Sequence, residues 1–230
     1  MATKTVLITG ATRGIGLSFV EHYIQEGWNV IAAARNVTKA DQLRALSPYK
    51  IVQLDASDEE SILNAAKELD GEAIDVLINN AGIGYFESFE NANKKDMMHI
   101  LDVNAVGPFL ITRAFRQHLK RASALAGVAK VAHISSSFGS VALNDTGGFY
   151  GYRASKAALN MISVSLSIDL KEDGIASLLY HPGHVATDLS HNQGTVQTHE
   201  TVERMTKYIA EATLKDSGKY FGESGEILPW

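Results

Sequence analysis

Two periods alternate along the chain. Short apolar or β-branched runs occur at residues 5–9, 29–34, 51–54, 74–78, 130–134 and 175–179, and most lack the polar alternation of a strand that faces water on one side. Helical spacing fills the intervals. Leu17, Val20, Tyr23 and Ile24 mark a first helix that stops at Gly27, and Ser57-Asp58-Glu59-Glu60 reads as a capping box opening a helix to Leu69. A long helical region covers 94–121, broken at Gly107-Pro108. Another carries Leu159, Ile162, Leu166 and Leu170 to a stop at Gly174, a last helix covers 198–214, and a short final strand is expected at 226–229. Strands buried on both faces and separated by helices predict an α/β fold, a doubly wound parallel sheet in a single three-layer domain over 1–230. No internal repeat, linker or second domain is visible.

In such a sheet ligands sit beyond the carboxyl ends of the strands, so the turns that follow them carry the chemistry. The first strand runs into Gly10-Ala11-Thr12-Arg13-Gly14-Ile15-Gly16 and then a helix, a strand–turn–helix context in which glycines admit a pyrophosphate close to backbone amides. Asp55 with Ala56 and the turn Asn79-Asn80-Ala81-Gly82 fall on the same rim. The fifth strand ends in Ser135-Ser136-Ser137-Phe138-Gly139, and the sixth in Tyr180-His181-Pro182-Gly183-His184. Residues 185–197 show no periodicity and are long enough for a lid, which sets a substrate loop at 184–205.

Tyr152-Arg153-Ala154-Ser155-Lys156 places a phenol and an ammonium on one helical face. A nearby cation favours phenolate, so the tyrosine is expected to titrate below its ordinary pKa of about 10. Taken alone, the spacing is common on solvated helices. Pro108 has no amide proton, so the carbonyl of Asn104 is expected to lack its helical partner and to face another donor.

The composition excludes several classes. At 230 residues, with 45% hydrophobic and 20% charged residues, the chain suits one soluble globular domain rather than a disordered segment. A net charge of -5 offers no basic field for nucleic acid, and no apolar stretch approaches the roughly 20 residues of a membrane span. Met1-Ala2-Thr3-Lys4 leads into a strand without a signal-peptide core, so a cytoplasmic protein is expected; the lack of cysteine permits a reducing compartment without demonstrating one. The histidines at 181, 184, 191 and 199 form no metal-ligand pattern, and no metal is expected.

Together these parts resemble the short-chain dehydrogenase/reductase family over essentially the whole length, which implies a Rossmann-type fold. Residues 9–16 are similar to its T-G-x-x-x-G-x-G cofactor loop and residues 79–82 to its N-N-A-G turn, while Asn104, Ser136, Tyr152 and Lys156 fall on its catalytic tetrad. Ser136 is preferred because Gly139 follows it as in the family's S-x-x-G pattern; Ser135 and Ser137 remain open. Pro182-Gly183, with Thr187, resembles the segment against the nicotinamide. The gap between Ser136 and Tyr152 exceeds the family's usual one, so the 139–149 loop carries a small insertion. That loop, the 152–160 run and the His181-Pro182-Gly183 turn are similar to the sniffer-type carbonyl reductase and C-factor branch.

The resemblance implies an oxidoreductase that interconverts a ketone or aldehyde and an alcohol. Tyr152 would exchange the proton, Lys156 would lower its pKa and hold the nicotinamide ribose, Ser136 would bond the carbonyl oxygen, and Asn104 would hold a water behind Lys156. It implies cofactor contacts at Gly10, Thr12, Arg13, Gly14, Ile15, Gly16, Arg35, Asp55, Ala56, Asn80, Ala81, Gly82, Tyr152, Lys156, Pro182, Gly183, Val185 and Thr187. NADP(H) is expected as cofactor, since Ala34 replaces the acidic residue that would repel a 2′-phosphate and Arg13 and Arg35 can bind one. Tyr85, Phe86, Phe138, Phe149 and His184 are candidates for lining a substrate cleft. The family also implies a homodimer through the 94–121 and 152–170 helices, with Met161, Ile162 and Leu166 as apolar surface. The alternative is a non-catalytic dinucleotide-binding signalling or regulatory protein.

Overall fold

The protein is described by a computed structural model over residues 3–230; Met1 and Ala2, part of the segment read for a leader, lie outside the described residues. Strand β1 (Thr5–Ile8) feeds helix α1 (Gly14–Gln25), and β2 (Asn29–Ala34) leads through a short helix α2 (Asp41–Ala45) to β3 (Lys50–Gln53). Helix α3 (Glu59–Glu68), β4 (Val76–Asn79), α4 (Lys94–Leu101), α5 (Gly107–Ala114) and α6 (Arg116–Ala126) follow, then β5 (Ala129–Ile134) and the long α7 (Tyr150–Asp169). Strand β6 (Ile175–Tyr180), α8 (Thr198–Glu211) and β7 (Tyr220–Phe221) complete the chain. The seven strands form one parallel sheet in the order β3-β2-β1-β4-β5-β6-β7.

Alternation along each strand divides the core into two layers. Val6, Ile8, Val30 and Ala32 point to one face, where Phe19, Val20 and Tyr23 of α1 and Val202, Met205 and Ile209 of α8 cover them. Leu7, Ile31, Leu77 and Val131 point to the other, beneath Ile62 of α3, Ile111 of α5, Phe115, Leu119 of α6 and Leu166 of α7. Because both faces are covered, the strands read as continuous apolar runs. Order reverses between β1 and β4, the place where a doubly wound sheet opens a crevice at its carboxyl edge.

Several expectations are corrected. Asp58, not Ser57, caps α3: its Oδ1 accepts from the Glu60 and Ser61 amides at 3.0 and 3.2 Å, while Ser57 donates its amide and hydroxyl to Asp55. The break in the 94–121 region is a π turn, Asp102–Val106, upstream of Gly107-Pro108, with the Gly107 amide bonded to the Asp102 carbonyl. Such turns widen the helix by one residue where proline removes a donor. The final strand is Tyr220–Phe221, and in place of a strand at 226–229 only Ile227 bridges back to Phe221. A two-residue strand leaves no periodicity to read. On α7, Leu166 is buried and Met161 and Ile168 face outward, so the apolar outer surface differs from the one expected.

Gly107 sets how closely α5 approaches the turn after β3. A Cβ there would lie 2.4 Å from the Ala56 carbonyl oxygen. Gly107→Ala must push the two backbones apart, and it is expected to lower stability by about 1–3 kcal/mol in urea unfolding. An unchanged midpoint would show that the contact is loose.

Candidate active site

The first turn is shaped by contact with the fourth. Gly10 has φ +64°, and a Cβ on it would sit 2.9 Å from the Ala81 Cα; a Cβ on Gly16 would sit 2.1 Å from the Gly10 carbonyl oxygen. Glycine is therefore required twice, for conformation and for approach. Thr9 Oγ1 accepts from the Asn80 and Ala81 amides at 3.0 and 3.1 Å, and Asn80 Nδ2 donates to the Thr9 and Gly10 carbonyls. Helix α1 then starts with extended Arg13 as its N-cap, no side chain bonded to its first amides, and no acid in its first turn. Those unspent donors and the positive helix end face the carboxyl edge, a cradle that fits a pyrophosphate.

Beside this cradle lie the four residues of the tetrad pattern. Lys156 is buried at 5% exposure, and its Nζ donates to the Ile134 carbonyl at 2.8 Å, at the end of β5. The ammonium also lies 5.6 Å from the centroid of the Tyr152 ring. Asn104, fully buried in the π turn, uses its whole amide: Oδ1 accepts from the Ile83 amide, and Nδ2 donates to the Ile83 carbonyl and to Ser155 Oγ. Ser155 in turn donates to the Tyr152 carbonyl at 2.7 Å. Asn104 thus ties the turn after β4 to α7. A Cβ on Gly82 would lie 3.4 Å from Asn104 Oδ1 and 3.7 Å from Lys156 Nζ, so these groups converge beneath that glycine.

The three serines separate by their partners. Ser135 is buried and donates to Asn160 Oδ1 at 2.6 Å, and Ser137 opens a short 3-10 turn, Ser137–Gly139. Ser136 lies against the Tyr152 phenol, and its Oγ accepts from the Phe138 amide at 3.3 Å.

Electrostatics here departs from the expectation that Lys156 lowers the tyrosine pKa. Burial raises Tyr152 above its ordinary value, and the Ser136 hydroxyl beside it offsets only part of that rise. Burial also lowers Lys156 to about 8, because the ammonium has given up water for a neutral carbonyl. Behind it, His133 is driven down to about 3, first by burial and then by the Lys156 charge, so it is neutral.

Over Tyr152 lies the 184–197 segment; residues 198–205 belong to α8. Gly84 meets the Tyr152 ring and the Leu189 side chain of this segment together, a Cβ there falling 3.1 and 3.2 Å from their nearest atoms. His191 stacks on Phe86 with ring centroids 4.7 Å apart, Phe86 contacts Phe149, Phe149 contacts Phe138, and Phe138 meets Tyr152 edge-on. Pro182, Gly183, Val185 and Thr187 form the root of this lid: Val185 bridges to Val196, and a Cβ on Gly14 would lie 3.5 Å from Thr187 Cγ2. His184 is exposed and holds the lid base through its carbonyl rather than joining the aromatic row. Arg35 is exposed at the end of β2, and Arg13 turns toward the lid, 3.3 Å from Asp188. Both partners of that pair are solvated, so it contributes little.

Sequence reading missed Glu87. It is buried after β4, and its Oε2 accepts from the Gly151 amide at 2.6 Å, at the start of the helix that carries Tyr152. No local pattern announces it, because its partner is 64 positions away.

A family model described as short chain dehydrogenase matches residues 4–198. C-signal of Myxococcus xanthus is 38% identical over 158 residues, covering 68% of this chain and 93% of that protein. Among solved structures, the NADPH-bound carbonyl reductase from chicken fatty liver superposes with a TM-score of 0.90 at 34% identity, and the carbonyl reductase Sniffer of D. melanogaster with 0.94 at 27%; each comparison covers the whole of both chains. No helix among the described residues is long and apolar enough to cross a membrane.

The buried lysine makes stability depend on pH. Unfolded, Lys156 titrates near its ordinary 10.5, and folded near 8. Between those values the unfolded chain binds more protons, so stability rises with pH across this window and the burial cost is fully present below it. Lys156→Met lacks this dependence. In urea unfolding near pH 7 and at about pH 10, the wild type is expected to gain about 2 kcal/mol relative to the variant between the two conditions. Parallel pH curves for the two proteins would refute the assignment.

Proposed function

We propose, for a chain that belongs to the short chain dehydrogenase family, an NADP(H)-dependent oxidoreductase interconverting a ketone or aldehyde and an alcohol. What supports it is the meeting, beside the glycine cradle and under one lid, of the Tyr152 phenol, the Ser136 hydroxyl and the buried Lys156 ammonium. A dinucleotide sensor needs the cradle but has no use for the other three. The chicken carbonyl reductase, which resembles this chain throughout, is described with NADPH bound.

The dinucleotide supplies or accepts the hydride when bound. Gly10, Thr12, Arg13, Gly14, Ile15 and Gly16 would hold its pyrophosphate through backbone amides and the helix end. Asp55, Ala56, Asn80, Ala81 and Gly82, with Pro182, Gly183, Val185 and Thr187, would supply its remaining contacts. Tyr152 donates the proton to the carbonyl oxygen. Ser136 hydrogen-bonds the same oxygen as charge develops on it. Lys156 holds a positive charge at the site, and Asn104 keeps the turn after β4 in register with α7. Residues 184–197 serve as the substrate lid, and the row Phe138, Phe149, Phe86 suits flat or apolar carbonyl compounds.

The preference for the phosphorylated cofactor rests on the end of β2. Ala34 leaves no carboxylate there to repel a 2′-phosphate, and Arg35 follows it, exposed.

Tyr152→Phe keeps the ring and removes the proton. It is expected to bind NADPH normally and to lose a factor of about 100 or more in kcat, measured by NADPH absorbance with a carbonyl panel. Retention of most activity would sink the mechanism. Ala34→Asp with Arg35→Ala is expected to move kcat/KM toward NADH; equal efficiency with both cofactors in the unmodified protein would overturn the cofactor assignment.

A further inference from the structure

The serine turn is held from behind by the last segment of the chain. Tyr220, fully buried on β7, donates its hydroxyl to the Ser136 carbonyl oxygen. Asn160 closes the network by accepting from Ser135 and donating to the Gly139 carbonyl at 3.3 Å. Both ends and the middle of the turn are therefore fixed. Trp230 lies behind Tyr220, the two rings stacked at 20° with centroids 5.6 Å apart, and its carbonyl accepts from the Ala142 amide at 2.9 Å. The Leu228 amide bonds the Tyr220 carbonyl. Strand β7 has only two residues and one strand neighbour, so these tail contacts do much to hold Tyr220 in place. Trp230 itself is 51% exposed, which makes it a brace over Tyr220 and the 140–143 turn rather than a filler of the core.

We propose that Tyr220 and Trp230 are positioning residues for Ser136: the hydroxyl fixes the backbone of the serine turn, and the indole fixes the hydroxyl. The inference rests on the reading of Ser136 as the group that bonds the carbonyl oxygen. A hydroxyl on a loop contributes to a transition state only while its direction is held, and a displacement near 1 Å can cost up to about 100-fold. Tyr220 touches neither substrate nor cofactor in this scheme and acts only through Ser136.

The test is a double-mutant cycle with steady-state kinetics on one carbonyl substrate and NADPH. Tyr220→Phe and Trp230→Ala are each expected to lower kcat about tenfold while the Kd for NADPH and the thermal midpoint stay near wild type, and Trp230→Phe is expected to recover most of the loss. In a Ser136→Ala background, Tyr220→Phe is expected to cost less than about twofold, since no hydroxyl remains to be positioned. Wild-type kcat in Tyr220→Phe alongside an impaired Ser136→Ala overturns this inference alone. So do losses that multiply in the double variant, because Tyr220 would then support the fold at large. Wild-type kcat in Ser136→Ala refutes the active-site reading itself, and with it the role given to Tyr220. If Trp230→Ala does not fold, the Tyr220→Phe cycle still decides.

Discussion

An ammonium held out of water is the constraint around which the carboxyl edge is built. Lowering Lys156 from its ordinary 10.5 to about 8 corresponds to roughly 3 kcal/mol against the charged form, and its one direct hydrogen bond goes to a neutral carbonyl, that of Ile134. A fold retains such a group only if its surroundings are rigid. Here the last residue of β5, the π turn and α7 all close on it, and the same closure brings the Tyr152 phenol and the Ser136 hydroxyl within reach. The charge that costs stability is also the charge that the proposed chemistry uses, and surrounding apolar layers supply the difference.

Rigidity comes mostly from side chains that bond backbone in another segment. Asn104 spends its whole amide on Ile83 and Ser155, Thr9 accepts from two amides of the turn after β4, and Glu87 caps the start of α7. Each link joins segments that are separate in the chain. Glycines at 10 and 107 let such segments touch, because a Cβ at either would lie under 3.0 Å from the backbone of a neighbouring turn. The site is therefore a set of loops locked by short polar side chains above a sheet whose two faces are sealed.

The proton on Tyr152 shows how context can reverse a local rule. Four-residue spacing to a lysine suggests a phenol eased toward ionisation, yet burial dominates and the phenol keeps its proton. The lid contributes by placing Leu189 against Gly84 and His191 against Phe86, which keeps the ring of Tyr152 half-buried.

Alternation of buried strands with amphipathic helices determined the layer order, and the glycine turn, Asn79-Asn80-Ala81-Gly82 and the Tyr152 to Lys156 spacing identified the edge that matters. These signals are local: a strand, a turn or a helical face states its own geometry within a few residues. What the tertiary structure alone decided are the partnerships between distant positions. The bonds of Asn104 to Ile83 and Ser155, the capping of α7 by Glu87, the hold of Tyr220 and Trp230 on the serine turn, and the pairing of Arg13 with Asp188 join residues far apart in sequence, and no periodicity encodes them. The titration of Tyr152 and Lys156 belongs to the same class, because desolvation is a property of everything packed around a group and not of the residues beside it in the chain.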